Sequence, residues 1–169
     1  MEKIAQRAGV TKPVLYQHFE SKKELYVALL DHDMAKLLAQ VTAAVDQAAD
    51  NPARILRGLE AYFDYIEANV DSFRILFRET MGADPEFRES IDRFHDVAAG
   101  RIGSIIAEET GKPLEESELL ARAIIGLSEA AATWWIDRKQ LLGKEELVAD
   151  LATLAWRGLG GLPQRKEDE

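Results

Sequence analysis

Residues 4–26, IAQRAGVTKPVLYQHFESKKELY, constrain the fold of this chain more than any other stretch, because they read as two short helices joined by a tight turn. Gly9 stands where the first helix must end, in a position suited to positive φ. Thr11 is a good N-cap for the second helix. Leu15 and Phe19, four residues apart, give that helix a buried side. The stretch therefore predicts a helix-turn-helix unit followed by the start of a third helix.

The outward side of the second helix carries Lys12, Val14, Gln17 and His18. A short face that is cationic, polar and amide-bearing suits a helix that enters the major groove of DNA. The charge distribution agrees, because within residues 1–30 five Lys and Arg against three Glu give +2, which leaves −11 for the rest of a −9 chain. This polarity would turn the positive end towards phosphates and the acidic body away from them. An acidic surface also keeps a protein soluble, and both interpretations can hold.

The same stretch resembles the helix-turn-helix of the TetR/AcrR family of bacterial transcription regulators. The matching residues combine Ala-x-x-x-Gly with LYQHFESKKEL, and they are Ile4, Ala5, Ala8, Gly9, Val10, Leu15, Tyr16, His18, Phe19, Lys22 and Leu25. The resemblance implies contacts to base edges by Lys12, Pro13, Val14 and Gln17. It implies contacts to phosphates by Thr11, Tyr16, His18 and Lys22, with packing against the following helix as the alternative for Tyr16 and His18.

The beginning of the chain departs from the family pattern. In the family a full helix precedes the glycine-turn unit, whereas here Met1 stands where the first helix of that unit begins. We expect a sequence that starts late, and a naturally incomplete head is the alternative. Without the supporting helix, part of the apolar surface of the head is expected to be exposed.

Composition and motifs narrow the possible functions. The chain has no Cys, which excludes disulfides and thiolate metal sites and fits a reducing compartment. No run of eighteen apolar residues is present, so we expect no membrane span and a cytoplasmic location. Asp92 and His95 share a helical face but lack further metal ligands. No phosphate-binding loop or Ser/His/Asp arrangement is suggested, so we expect no cofactor and no enzyme, with a small helical enzyme as the weakest alternative.

The rest of the chain reads as helix, because strong β-alternation is absent and Gly, Pro and Asn-Pro fall where helices should end. A capping box at Ser21 and Glu24 opens a helix that persists to about residue 49. Further helices are predicted from Asn51, near Asp71 and Ser72, from Asp84-Pro85 to about Thr110, from about Leu114 to Lys139 and from about Lys144 to Arg157. The fold class is all-α, and the predicted domains are a DNA-binding head at 1–30, a ligand-binding and dimerisation body at 31–163, and a frayed tail at 164–169.

An aromatic group is the first candidate site in the body. In the resembling family the central helices enclose a cavity for a small-molecule effector, which implies a lining that includes Tyr62, Phe63, Tyr65, Phe73, Phe77, Phe94 and His95. An aromatic stripe at helical spacing is also typical of a core, so both interpretations stay open. Tyr65 and His95 are the better ligand candidates, because pockets are mostly apolar with a few placed polar groups. The expected effector is hydrophobic, such as an acyl chain or a drug-like aromatic compound.

The last two predicted helices are the second candidate site. They carry small residues on successive turns, which permit close helix approach, and more apolar area than the terminal helix of a monomer needs. The resemblance implies a four-helix dimer interface that includes Gly126, Ala130, Trp134, Leu147, Leu151 and Leu154, with burial inside one subunit as the alternative. A two-fold dimer suits a palindromic operator.

Together these features predict a homodimeric, ligand-responsive transcription regulator, with repression as the family default. The alternative is a dimeric small-molecule-binding module without DNA binding.

Overall fold

The computed structural model describes residues 1–74, 85–138 and 141–160, and within these ranges the regular secondary structure is α-helical, with no strand. The helices are α1 (Glu2–Arg7), α2 (Lys12–His18), α3 (Lys22–Asp46), α4 (Asn51–Ala68), α5 (Val70–Arg74), α6 (Pro85–Thr110), α7 (Leu114–Arg138) and α8 (Lys144–Gly160). The predicted all-α class is confirmed.

The head consists of α1, α2 and the first turns of α3. Gly9 has φ +69°, a conformation that side chains rarely adopt, and it reverses the chain between α1 and α2. The amide of Val10 donates to the carbonyl of Ala5 at 3.0 Å, which satisfies a carbonyl at the end of α1. Thr11 has the extended backbone of an N-cap, but its side chain makes no capping hydrogen bond.

A small apolar cluster holds the head together. Ala5, Leu15 and Leu25, one from each of α1, α2 and α3, are buried against one another, and Phe19 packs on them partly buried. Other apolar side chains of this region stay exposed, namely Val10, Val14 and Leu29, of which Leu29 is 51% exposed. The expected exposure of the apolar side of the head is not found at Leu15, which is buried, and Phe19 is partly buried.

Helix α3 runs from the head into the body without interruption. Its start is fixed by Ser21, whose hydroxyl accepts from the amide of Glu24 at 3.0 Å. Near its beginning Leu25 belongs to the head cluster, and further along Leu30 and Met34 belong to the main core. With 25 residues the helix is about 37 Å long, and it ends at Asp46 rather than near residue 49.

The main core lies between α3, α4, α6, α7 and α8. Phe63 and Trp135 meet there edge to face, with ring centroids 5.8 Å apart. Outside the core, Lys144 at the start of α8 donates to Asp64 at 2.7 Å and to Glu67 at 2.9 Å, which fastens α8 to α4. These two carboxylates raise the pKa of Lys144, so the lysine stays charged.

Helices α6 and α7 form a close antiparallel pair. Ala99, Ile106 and Ala121 are buried between them. Gly103 is needed at their closest approach, because a Cβ atom there would come within 2.9 Å of the side chain and 3.1 Å of the backbone of Glu118. An ion pair between Arg122 and Asp96 and a contact between His95 and Glu129 add polar links along the same seam.

Two further helix boundaries differ from those predicted. Helix α5 begins at Val70, before the expected caps Asp71 and Ser72. Helix α8 continues through Gly158 to Gly160, because a glycine that leaves the helical hydrogen-bond pattern intact weakens a helix without ending it. Phe77 and the predicted tail at 164–169 lie outside the described residues.

Candidate DNA-binding head and ligand cavity

The predicted DNA-contact residues all lie on the exposed side of the head. Leu15 points inward, and the exposed positions around it are Thr11, Lys12, Pro13, Val14, Tyr16, Gln17, His18 and Lys22. Tyr16 is 44% exposed, and the assignment of phosphate contacts to Tyr16 and His18 stays a prediction. The exposed surface of the head thus carries the short helix α2.

Two lysines of this surface lie near aromatic rings. The ammonium of Lys12 is 6.0 Å from the ring centroid of Tyr16, and that of Lys22 is 6.0 Å from the ring centroid of Tyr26. Such contacts are weak where solvent is present, but they favour particular positions of long side chains. Both charges remain accessible to an approaching phosphate.

A cavity of about 370 Å³ lies inside the body, which is within the usual range for small-molecule sites. Helix α3 contributes one wall through Leu37, Leu38, Val41, Thr42 and Val45. The other walls come from α4, α6 and α7, with Trp156 of α8, and they include Ile55, Gly58, Leu59, Tyr62, Phe94, Ala98, Ile102, Ile105, Ile106, Ile124, Ile125, Ser128 and Glu129. Most of the lining is apolar, so the cavity suits a hydrophobic molecule.

Tyr62 is a polar group at one end of this cavity. Its ring lies edge to face with that of Phe63, with centroids 5.4 Å apart, and its hydroxyl oxygen is buried. Among the described residues this hydroxyl has no hydrogen-bond partner. Burial, and secondarily the charge of Glu129, raise the pKa of Tyr62 well above its usual value, so the phenol stays protonated and can donate.

Glu129 lines the same end of the cavity and forms a hydrogen bond with His95. The Nε2 atom of His95 lies 2.6 Å from Oε1 of Glu129, and both side chains are about three-quarters buried. The hydrogen bond to Glu129 raises the pKa of His95, which burial alone would lower. Within the described residues no group of three or more His, Asp or Glu is placed to hold a metal ion.

The opposite end of the cavity reaches the surface. Arg101 and Glu109, both exposed, line this end together with Arg54. Arg101 donates to Asp46 at 2.6 Å, and Arg54 donates to Asn51 at 2.8 Å. The cavity therefore has a charged, accessible end and an apolar interior that closes on Tyr62 and Glu129.

The structure distributes the predicted effector residues differently from the sequence-based expectation. Tyr62 and Phe94 line the cavity, and their contact with a ligand stays a prediction. Phe63 and Phe73 are outside the lining and are buried in or against the main core. Tyr65 is also outside it, and its hydroxyl donates to the carbonyl of Asp33 at 3.0 Å.

His95, the other favoured ligand candidate, reaches the cavity only through Glu129. The residues that sequence reasoning missed are the aliphatic ones of α3, α6 and α7. Their spacing is that of any buried helix face, so the sequence held no signal that separates a cavity wall from a core.

The predicted dimer residues also fall into two groups. Gly126, Ala130, Trp134 and Leu154 are exposed in the single chain, Trp134 to 42% and Leu154 to 59%. Leu147 and Leu151 instead belong to the buried core of the subunit, where α8 packs against α4. The expectation that Leu147 and Leu151 form part of a surface between subunits therefore needs correction, because their side chains are already covered within one chain.

The exposed members lie on one face of α7. Leu119, Ala123, Gly126, Ala130 and Trp134 follow one another at steps of three and four residues, and all are exposed. A Cβ atom built on Gly126 would meet nothing within 4 Å. By length and composition α7 is apolar enough to cross a membrane, yet only 28% of its most apolar 18-residue window is buried within the chain. A long apolar face is therefore left uncovered.

Comparison with known proteins covers both parts of the chain. The family described as "Bacterial regulatory proteins, tetR family" matches residues 1–29, and the one described as "Tetracyclin repressor-like, C-terminal domain" matches residues 52–158. The HTH-type transcriptional activator FasR from Mycolicibacterium smegmatis is 31% identical over 163 residues, which span 96% of this chain and 74% of that protein.

Solved structures agree with these matches. A tetR-family transcriptional regulator from Streptomyces coelicolor superposes with a TM-score of 0.75 at 25% identity, over 94% of this chain and 69% of that one. The fatty acid degradation regulator FadR from Bacillus halodurans gives a TM-score of 0.79 over 97% of this chain and 86% of that one. Because the identity is only 21%, this similarity shows the fold alone. The chain belongs to the TetR family of bacterial transcriptional regulators.

Proposed function

We propose that the chain is a one-component regulator in which a hydrophobic ligand in the body changes the DNA affinity of the head. The observation that carries this proposal is the course of α3. One continuous helix provides Leu25 to the core of the head and Leu37, Val41 and Val45 to the wall of the cavity. A ligand that displaces this wall must tilt the same helix on which the head is built.

We further propose that the regulator acts as a homodimer through the uncovered face of α7 and the exposed side of α8. The face from Leu119 to Trp134 is apolar and has small residues at its centre, which lets two helices approach closely. On α8, Leu154 extends it. Stable interfaces of this kind bury ~2,000 Å² or more and are apolar at the centre. A second copy is a better partner for this face than a lipid bilayer, because the chain belongs to a family of regulators.

DNA recognition is proposed to follow the exposed surface of α2. Gln17 and Lys12 would read base edges, and Lys22 would hold a phosphate. Two heads related by a two-fold axis would require a palindromic operator, whose half-sites match the spacing of the heads. The partners are thus operator DNA, a hydrophobic effector and a second copy of the chain, and the proposed location is the cytoplasm, where that DNA is found.

The direction of regulation is a separate point. We propose repression, whereas the relative from Mycolicibacterium smegmatis is named an activator. The architecture suits either outcome, since both need only a ligand-dependent change in operator affinity. A reporter placed behind the operator, with and without the gene for this chain, distinguishes the two.

Selection of DNA from a random pool by the 169-residue chain tests the proposal as a whole. We expect enrichment of an inverted repeat, bound by two chains per duplex as determined by light scattering. Enrichment of an asymmetric site by a monomer would contradict the dimeric mechanism. A dimer that selects no sequence at all would favour the small-molecule-binding module without DNA binding.

A further inference from the structure

The buried end of the cavity carries a polar group for which the described residues supply no partner. Tyr62 lines the cavity, and its hydroxyl is buried and lacks a hydrogen bond among the described residues. A buried hydroxyl without a partner is unfavourable by about 1–3 kcal/mol in proteins, so such groups are uncommon unless something else satisfies them. A ligand that fills the cavity could supply the missing bond.

A second polar group limits what that ligand can be. Glu129 lines the cavity beside Tyr62, and one of its carboxylate oxygens is taken by His95 at 2.6 Å. Its other oxygen carries no bond to the described residues that would compete with a ligand. Glu129 can accept a hydrogen bond, whereas Tyr62 can donate one.

From this juxtaposition, and building on the cavity of the proposed function, we propose that the cavity selects an elongated apolar compound with a neutral hydroxyl group at its buried end. A hydroxyl can accept from the Tyr62 phenol and donate to Glu129 at the same time. A carboxylate in this place would face the charge of Glu129 in an apolar surrounding, which is unfavourable. An ammonium could donate to Glu129, but it would have to lose its hydration without a second anion to compensate.

The rest of the cavity suits a ligand that has one polar group and a long apolar part. Ile55, Ile102, Ile105 and Ile125 line the space between the two ends. Arg54 and Arg101 stand at the exposed end, where each is already bonded to a neighbour, to Asn51 and Asp46 respectively. The specific recognition group is therefore at the closed end, and the aliphatic walls accept the chain.

Three probes of equal chain length test the inference at pH 8, where the acid is ionised and the amine is charged. Displacement of the neutral fluorophore N-phenyl-1-naphthylamine from the full chain is measured with 1-decanol, decylamine and decanoate. We expect 1-decanol to displace the fluorophore at a concentration roughly tenfold below that of decanoate. Equal potency of 1-decanol and decanoate, or higher potency of decylamine, would overturn the hydroxyl assignment.

Tyr62→Phe removes the hydroxyl and keeps the ring. We expect it to weaken the binding of 1-decanol by roughly 3- to 10-fold, which is the effect of one lost hydrogen bond. The binding of decanoate should stay unchanged. Tyr65→Phe is the matched control, because Tyr65 lies on the same helix, has a partnered hydroxyl and is outside the lining. It is expected to leave the ratio of the two potencies as in the wild type. A second variant, Glu129→Gln, should reduce the difference between 1-decanol and decanoate.

The result also separates this inference from the proposed function. If the fluorophore binds and Ile102→Trp, which fills the cavity, abolishes its binding, then the cavity is a ligand site whatever the order of the probes. If Tyr62→Phe then leaves every probe unchanged, only the hydroxyl inference is wrong. If neither the fluorophore nor any probe binds the wild type, both the cavity proposal and this inference are wrong.

Discussion

At the scale of single residues, two tyrosines on the same helix show that the contribution of a buried hydroxyl to stability depends on its hydrogen-bond partner. Tyr62 and Tyr65 are three positions apart on α4. Tyr65 donates to the carbonyl of Asp33, whereas the hydroxyl of Tyr62 is buried without a partner in the described part of the chain. Burial and the neighbouring Asp33 raise the pKa of Tyr65 to about 12, so both phenols are protonated at neutral pH. One hydroxyl is bonded within the fold, and the other is buried without such a bond in the described part of the chain.

This difference predicts opposite effects on stability. Tyr65→Phe should lower the free energy of unfolding by about 1 kcal/mol, because a hydrogen bond is lost and the carbonyl of Asp33 loses that partner. Tyr62→Phe should leave it unchanged or raise it by up to about 1 kcal/mol, because an unpaired buried hydroxyl is removed. Urea unfolding of the ligand-free protein at one chain concentration measures both. A larger loss from Tyr62→Phe than from Tyr65→Phe would show that Tyr62 has a partner in solution.

A second residue-scale prediction concerns the head. Gln17 is placed to read a base, so Gln17→Ala should lower the preference for the selected operator over unrelated DNA by ~1–3 kcal/mol. Lys22 is placed to meet a phosphate, so Lys22→Ala should weaken binding to all sequences and reduce the salt slope by about one. Anisotropy titrations on operator and scrambled duplexes at several salt concentrations separate the two. If both variants bind the operator like the wild type, the assignment of this surface is wrong.

At the scale of helices, the contact between α6 and α7 contains a titratable link. His95 and Glu129 are mostly buried, and the hydrogen bond to Glu129 raises the pKa of His95 in the folded state. A raised pKa means that the folded state holds this proton more tightly than the unfolded chain does. The stabilisation is therefore fully present below the unfolded pKa of about 6.5 and is lost as the pH rises through the higher folded value.

The expected consequence is a pH-dependent stability that depends on His95. Between pH 6 and pH 9 the wild type should lose stability relative to His95→Gln, because glutamine does not titrate. Urea unfolding at a fixed chain concentration, repeated across this range, gives the difference directly. Parallel curves for the two proteins would mean that His95 and Glu129 do not interact as described.

The exposed face of α7 leads to a prediction that separates dimer contacts from core contacts. Ala130→Glu places a charge on an exposed position of the single chain, so the subunit should fold and remain monomeric. Leu151→Glu places the charge in the subunit core, so it should unfold the chain. Ala43→Glu, at an exposed position of α3, is the matched control and should stay dimeric. Light scattering and circular dichroism that show a folded dimer for Ala130→Glu would contradict the proposed interface.

The helices themselves could be predicted from the sequence, because their signals are local. Gly9, Ser21 and Gly111 each stand at a helix end, and the structure gives Gly9 and Gly111 positive φ. The two candidate sites are harder to predict from the sequence, since they depend on which sides of the helices face one another. Leu151 and Leu154 are equally apolar and three positions apart, yet one is buried and the other is 59% exposed. Only the packing of α8 on α4 distinguishes them.

At the scale of the whole molecule, one long helix joins the head, the cavity wall and the rest of the body. The head, the cavity wall and the body share α3, and ion pairs of Lys23 with Glu86 and of Arg93 with Asp31 connect that helix to α6. Both ion pairs are exposed, so they contribute little to stability. They do, however, couple the position of α3 to a helix that also lines the cavity. A change in the cavity can reach the head by both routes.

The most direct measurement of this coupling uses reciprocity between the two binding sites. If ligand and operator affect each other, each must change the affinity of the other by the same factor, typically 5- to 150-fold. N-phenyl-1-naphthylamine is titrated into the chain alone and into the chain saturated with its selected operator. The account predicts dissociation constants that differ by a factor in that range, and the same factor for the operator when the ligand is saturating. Identical ligand affinity with and without operator DNA would contradict the central claim that the cavity controls the head.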